Sequence, residues 1–270
     1  MTTGRSDFIS NCFANGIIIP EVILNISDVC NRSCNYCPRH YSYKPPHKYV
    51  FMDFDVLSKL CSDLGHSYAG MFSFSGFGEP TLHPYIEKML NICINKCPDA
   101  TILIITNGDY IDSIFNICKN VNVRVEISMH EKFSVQKMSH MRNVIKCDLL
   151  FKDNYTNTCA FNNRAGNVPL FNENMHAVCT NCCNIPFYKM AVDVNGDVYQ
   201  CCSDWTRSVI FGNVMTDNIY DIWTCSKLNQ IRRNLINGNR KDCVLCSKCS
   251  ANGTFAGNEY MMDWKKTHAI

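Results

Sequence analysis

Short apolar runs alternate with segments of helical period over the first 150 residues. EVILNIS (21–27), AGMFSF (69–74), TILIIT (101–106), VNVRVEISM (121–129) and CDLLF (147–151) read as buried strands. DFDVLSKLCSDL (53–64) has apolar residues at helical spacing with Asp53 as N-cap, and PYIEKMLNICINKC (84–97) opens on a proline. Shorter helices are expected near 110–118 and 132–140. Apolar strands alternating with helices predict a parallel α/β sheet covered by helices. Five or six such units suit a partial or complete parallel barrel, or a doubly wound sheet, and periodicity does not choose between them.

Beyond residue 155 the pattern changes. The stretch around NNRAGNVPLFNEN is Asn-rich and loop-like, FYKMAVDVNGDVYQCC (187–202) reads as a hairpin turning at Asn195-Gly196, and DIWTCSKLNQIRRNLING (221–238) reads as one helix stopped by Gly238. The expected division is a barrel-like domain over 1–160, a connection over 161–178, a small cysteine-bearing appendage over 179–255 and a tail over 256–270.

Composition narrows the function. With 46% hydrophobic and 19% charged residues the chain has the make-up of a globular domain with a sizeable core, and a net charge of +2 gives no footprint for nucleic acid or an anionic membrane. The longest apolar stretch, GIIIPEVIL (16–24), is too short to span a bilayer. Nineteen cysteines without an export signal argue for reduced, cytoplasmic thiols and metal work. Cys12, Cys61, Cys93, Cys97, Cys118, Cys147 and Cys159 stand singly and read as small buried hydrophobes. The others cluster.

CNRSCNYC sets Cys30, Cys34 and Cys37 at Cx3Cx2C directly after the first strand. A closed zinc site wants four ligands, and His40 is the residue that would complete one. Three thiolates suit instead a [4Fe–4S] cluster with one iron left open. The spacing, with Tyr36 just before the last cysteine, resembles the radical S-adenosylmethionine (SAM) superfamily. That resemblance implies an open iron that binds SAM and a one-electron cleavage of its sulfonium, giving a 5′-deoxyadenosyl radical that abstracts hydrogen from a C–H bond. SGFGEP (75–80) resembles the superfamily's glycine–glycine–glutamate motif with Phe77 at its first position; Gly78 would allow close backbone approach and Glu79 would accept from the methionine ammonium. Asn107 in ITNGD and Ser128 in ISMHE fall where further cofactor contacts are expected, although both also read as strand-end turn residues.

A second spacing, Cys183-x12-Gly196-x4-Cys201 followed by Cys246-x2-Cys249, resembles the SPASM/twitch auxiliary-cluster region of certain radical SAM enzymes. No cysteine follows Cys249, so the single-cluster twitch form is expected, with four thiolates saturating a second [4Fe–4S] cluster. A four-thiolate zinc site is the alternative. Cys243 leaves the register open, and the resemblance implies 246/249 by its distance after DIW (221–223).

The order of motifs is similar to that of twitch-type radical SAM dehydrogenases. The resemblance implies a partial (β/α)6 barrel of parallel strands with a twitch appendage of hairpin plus helix. It also implies a sugar or cyclitol substrate, oxidation of a carbinol to a ketone with the electron passed to the auxiliary cluster, and an external donor such as flavodoxin or ferredoxin. Arg164 then lies near substrate in an anchoring role, since a guanidinium is a poor base. His130 has the intrinsic pKa for proton transfer, or is a satisfied histidine at the barrel mouth. Among the leftover cysteines, at 179, 182, 202, 225 and 243, one near the site would donate a hydrogen atom, and Cys243 is the candidate. Such a donor would make the enzyme an epimerase. Modification of a ribosomal peptide is disfavoured because only 29 residues precede Cys30, too few for a recognition domain.

Anaerobic reconstitution is therefore expected to load roughly eight irons per chain, four for each cubane. A stable count near four would remove the auxiliary cluster, and stoichiometric zinc without iron would restore the zinc reading.

Overall fold

Along Glu21–Leu24 (β1) side chains alternate between two faces. Val22 and Leu24 enter the large apolar core beneath the helices, whereas Ile23 packs on the opposite face with Phe77, Ala191 and Tyr199. The computed structural model describes residues 4–41, 43–45, 48–117, 122–154, 162–169, 179 and 181–268. Met71–Phe74 (β2), Thr101–Thr106 (β3), Val123–Met129 (β4) and Asp148–Asp153 (β5) follow β1 in parallel, each beside its predecessor. The sixth parallel strand, Lys189–Val192 (β6), does not extend the β5 edge. It pairs with the free side of β1, aligning Glu21 with Lys189 and Ile23 with Ala191. Asp197–Tyr199 (β7) and Ile210–Asn213 (β8) continue antiparallel, so the order is β5-β4-β3-β2-β1-β6-β7-β8 and the sheet stays open.

The partial barrel of the sequence reading is thus present, and the predicted hairpin is one of its edges. Gly196 takes φ +88° in the turn, where its N–H donates to the Asp193 carbonyl. The N-terminal helix Arg5–Ala14 (α1) has no counterpart in the sequence reading. It packs near the C-terminal helix Asn258–Thr267 (α8), with Ser10 Oγ donating to Glu259 and Tyr260 to the Ile17 carbonyl.

Phe54–Leu64 (α2) starts one residue past Asp53, whose side chain accepts the Asp55 N–H, and buries Val56, Leu57, Leu60, Cys61 and Leu64. Ile86–Lys96 (α3) and Val135–Val144 (α4) cover the rest of this face, and residues 111–114 form a 3-10 turn where a short helix was expected. Ile185–Tyr188 (α5) leads into β6. The single helix expected over 221–238 is two, Ile219–Trp223 (α6) and Ser226–Ile236 (α7), because Cys225 takes an extended conformation and caps α7 through its sulfur. Of the isolated cysteines, 12, 61, 93 and 97 are buried and Cys147 is half-buried; Cys118 and Cys159 lie outside the described residues, as does most of 161–178. Among the described residues no helix is long and apolar enough to cross a membrane.

One buried guanidinium ties the loop after β1 to the hairpin. Arg207 donates through Nε to Asp193 (2.7 Å) and through Nη2 to Asp28 (2.9 Å), with its planar group 3.6 Å from the Phe77 ring centre. Asp28 also accepts from Arg39 and Tyr43, and Asp193 from Asn25 (2.6 Å). Arg207→Leu would leave two carboxylates buried with less compensation. The expected cost is about 3–5 kcal/mol, read as a lower urea midpoint at pH 7. An unchanged midpoint would show that the cluster contributes no net stability.

Candidate active site

The loops leaving the C-terminal ends of β1 to β4 converge on one cleft of about 300 Å³. Cys30, Cys34 and Cys37 line it from the loop after β1, Gly78 and Glu79 from the loop after β2, and Asn107 from the end of β3. Ser128 and His130 join from the end of β4, with Tyr36 and Arg164. The first set of sequence-predicted residues is thereby gathered in one place. His40, the possible fourth zinc ligand, is exposed, faces the Ser33 carbonyl and is absent from the lining.

Backbone crowding explains the Gly-Glu pair. A Cβ on Gly78 would sit 2.1 Å from the Ser27 carbonyl oxygen and 2.5 Å from that of Val29. The close approach made possible by this glycine is therefore that of the chain's own cysteine loop. The Glu79 N–H donates to the Val29 carbonyl (2.8 Å), which seats the carboxylate. Glu79 Oε1 accepts from the Thr81 N–H and hydroxyl and from the Thr106 hydroxyl, while Oε2 accepts from the Asn107 N–H (2.9 Å). Oε2 therefore keeps acceptor capacity on the cleft side. Burial raises the Glu79 carboxyl above its ordinary value, so a cation placed there would be stabilised and would restore its charge. Asn107 is tied further, donating to Asn31 and accepting from the Asp109 N–H.

His130 shares a hydrogen bond through Nδ1 with the Tyr36 hydroxyl. Burial, then Arg32, push its imidazole down to about 4, which weakens it as a base at neutral pH. Arg32 itself is held by Asp109 and Glu131.

The second set of thiols gathers behind the hairpin. Cys183, Cys243 and Cys246 share one buried cluster; Cys201 and Cys249 share another with Ala165. Burial pushes Cys183, Cys201 and Cys249 up, and neighbouring thiols add to it. Arg240 binds the carbonyls of Asn181, Cys182, Ala251 and Asn252, clamping the segments before Cys183 and after Cys249. Cys243, the candidate hydrogen donor, hydrogen-bonds with Cys246 and is not among the cleft-lining residues; Cys202 lines the cleft instead. That placement had no signal in the sequence beyond adjacency to Cys201.

The loop carrying Arg164 joins the two thiol sets. Asn163 donates to the Lys248 carbonyl (2.7 Å) and exchanges bonds with Ser250, while Arg164 and Ala165 take left-handed φ values of 48° and 53°. Cys30, Cys201 and Cys249 each accept the backbone N–H two residues ahead at 3.4 Å, a donor pattern that stabilises thiolate. Among the described residues no group of three or more His, Cys, Asp or Glu side chains is set to hold a single metal ion.

Residues 24–132 match the Radical SAM superfamily, and residues 182–250 match SPASM, an iron–sulfur cluster-binding domain. S-adenosyl-L-methionine-dependent 2-deoxy-scyllo-inosamine dehydrogenase of Niallia circulans is 26% identical over 243 residues, covering 84% of this chain and 91% of that protein. In fold the chain is similar to BtrN crystallised with AdoMet and 2-DOIA, at TM-score 0.69 and 23% identity over 90% of this chain and 98% of BtrN. It is also similar to SuiB of Streptococcus suis bound to its precursor peptide SuiA, at TM-score 0.58 and 14% identity over 92% and 73% of the two chains.

Gly78→Ala is expected to displace the cysteine loop and lower iron loading at the first site, because a backbone carbonyl stands 2.1 Å from the added carbon. Iron and sulfide analysis with electron paramagnetic resonance checks this; full loading with an unchanged spectrum would contradict it.

Proposed function

Because this chain belongs to the radical SAM superfamily and carries an SPASM region, we propose that it oxidises a carbinol carbon of a sugar or cyclitol to a ketone. The observation that carries this reading is the Arg164 loop, which lines the cleft at one end and is hydrogen-bonded to the second cysteine segment at the other. The relative named for an inosamine dehydrogenase supports the same chemistry.

The cofactors, a [4Fe–4S] cluster with SAM and an auxiliary iron–sulfur cluster, supply when bound hydrogen-atom abstraction at one end and an electron sink at the other. Cys30, Cys34 and Cys37 would hold the first cluster, and Cys183, Cys201, Cys246 and Cys249 the second. Glu79 would receive the cationic amino group of SAM, and Asn107 and Ser128 would supply polar contacts beside it. Tyr36 and His130 close the wall over the cleft and help to exclude water. Arg164 lies close enough to Cys37 to favour its thiolate, so its charge anchors and polarises rather than accepts a proton. A small donor protein such as flavodoxin or ferredoxin delivers electrons from outside.

One observation favours a second reading. Cys202 lies in the cleft wall, where a thiol returning hydrogen to the opposite face of the substrate would epimerise it. The products separate the two: a dehydrogenase gives a carbonyl, an epimerase an isomer carrying one solvent deuterium.

Cys30→Ala is expected to abolish 5′-deoxyadenosine formation. Cys246→Ala is expected to spare it while stopping ketone formation, so an unaffected ketone yield would sink the electron-sink role.

A further inference from the structure

The floor of the cleft lies at the opposite end of the strands from Cys30, Cys34 and Cys37. Strand alternation puts Glu21 of β1, Ser73 of β2 and Lys189 of β6 on the concave face, and α1 delivers Arg5 to the same spot. Arg5 donates to both Glu21 oxygens and to Ser73 Oγ (3.3 Å), and Ser73 Oγ donates to Glu21 Oε1 (2.7 Å). Lys189 Nζ lies 3.2 Å from Glu21 Oε2. The Glu21 side chain is fully buried at 0% exposure, whereas Arg5 keeps 26% and Lys189 10%. Both cations line the cleft.

Among the described residues, two cations therefore share one carboxylate, and the carboxylate lies beneath them. A buried surplus charge is costly unless it is neutralised or paired. Two other cations of the cleft are paired, Arg32 with Asp109 and Glu131 and Arg39 with Asp28, while Arg164 at the mouth has no carboxylate among the described residues. This end of the cleft thus has surplus positive charge, whereas acceptor capacity lies at Glu79.

We propose that Arg5 and Lys189 form the recognition site for an anionic group, a carboxylate or a phosphate, on the hydroxyl compound oxidised in this cleft. The proposal rests on the oxidative reading above and names its substrate class. An acid or phosphate ester would place its negative charge between the two cations and its carbinol toward the thiol end. An ammonium-bearing cyclitol, such as the amine for which the relative is named, would meet like charge there.

The test is calorimetric titration of the reconstituted holoenzyme with SAM, using D-glucuronate, D-glucose 6-phosphate, myo-inositol and D-glucosamine as probes. At least one anionic probe is expected to bind tenfold or more tightly than myo-inositol or D-glucosamine, and the stronger of the two anions identifies carboxylate or phosphate. Lys189→Met should lose the anion preference, and Lys189→Arg should keep it. Equal binding of all probes, no binding of either anion at millimolar concentration, or an anion preference that survives in Lys189→Met would overturn the proposal. Following 5′-deoxyadenosine in parallel separates the two readings. Without SAM cleavage the oxidative reading fails whatever the heats show; with cleavage but no anion preference, only the anion site fails.

Discussion

The ion cluster around Arg207 is the constraint on which the site geometry depends. A single guanidinium sits between Asp28, at the start of the cysteine loop, and Asp193, at the end of β6. Both carboxylates have fully buried side chains, so neither can exchange this partner for water. Arg39 and Tyr43 reach Asp28 from the far side of the same loop, and the Arg207 plane lies on Phe77, just ahead of Gly78-Glu79. The loop bearing the first three thiols, the loop bearing Glu79 and the hairpin leading to Cys201 are thus referred to one charge.

Around that centre the two faces of one sheet do different jobs. Alternation sends Val22, Leu24, Phe72 and Phe74 into an apolar core under α2 and α3, and leaves the concave face to polar side chains beside a smaller apolar cluster of Ile23, Phe77, Ala191 and Tyr199. That face is divided along its length. The first three thiols, Glu79 and its hydrogen-bonded network stand at the C-terminal ends of the strands, while Arg5, Glu21 and Lys189 stand at the other end. A hydrogen-bonded carboxylate at one end and two cations over one carboxylate at the other make the cleft electrostatically directional. Departure from local charge balance is a mark of sites built for a ligand rather than for stability.

Much of the chemistry was legible because metal-ligand spacing is local. CNRSCNYC holds its three thiols within one loop, so no fold is needed to place them together. Cys183, Gly196 and Cys201 were readable for a related reason: a two-strand hairpin with a turn at a fixed glycine returns the chain to its start. Arg207, Lys189 and Arg5 carried no such signal. Each acts through a partner 14 to 179 positions away, as with Arg207 and Asp193 or Asp28, and side-chain pairing at that range leaves no period or spacing to detect. The break between α6 and α7 was missed because a cysteine seldom caps a helix, whereas the apolar spacing continues across it.

By itself the sequence determined that Cys30, Cys34 and Cys37 share one loop and that Gly78-Glu79 follows the second strand, because thiol spacing and close backbone approach at glycine are set by residue type over a short range. Only the tertiary structure decided where the sixth parallel strand lies. Pairing β6 with β1 instead of β5 puts Lys189 beside Glu21 and brings the second thiol set to the edge of the first cleft. A parallel edge accepts any strand of suitable register, so the choice belongs to packing and to the Arg207 cluster rather than to any local pattern.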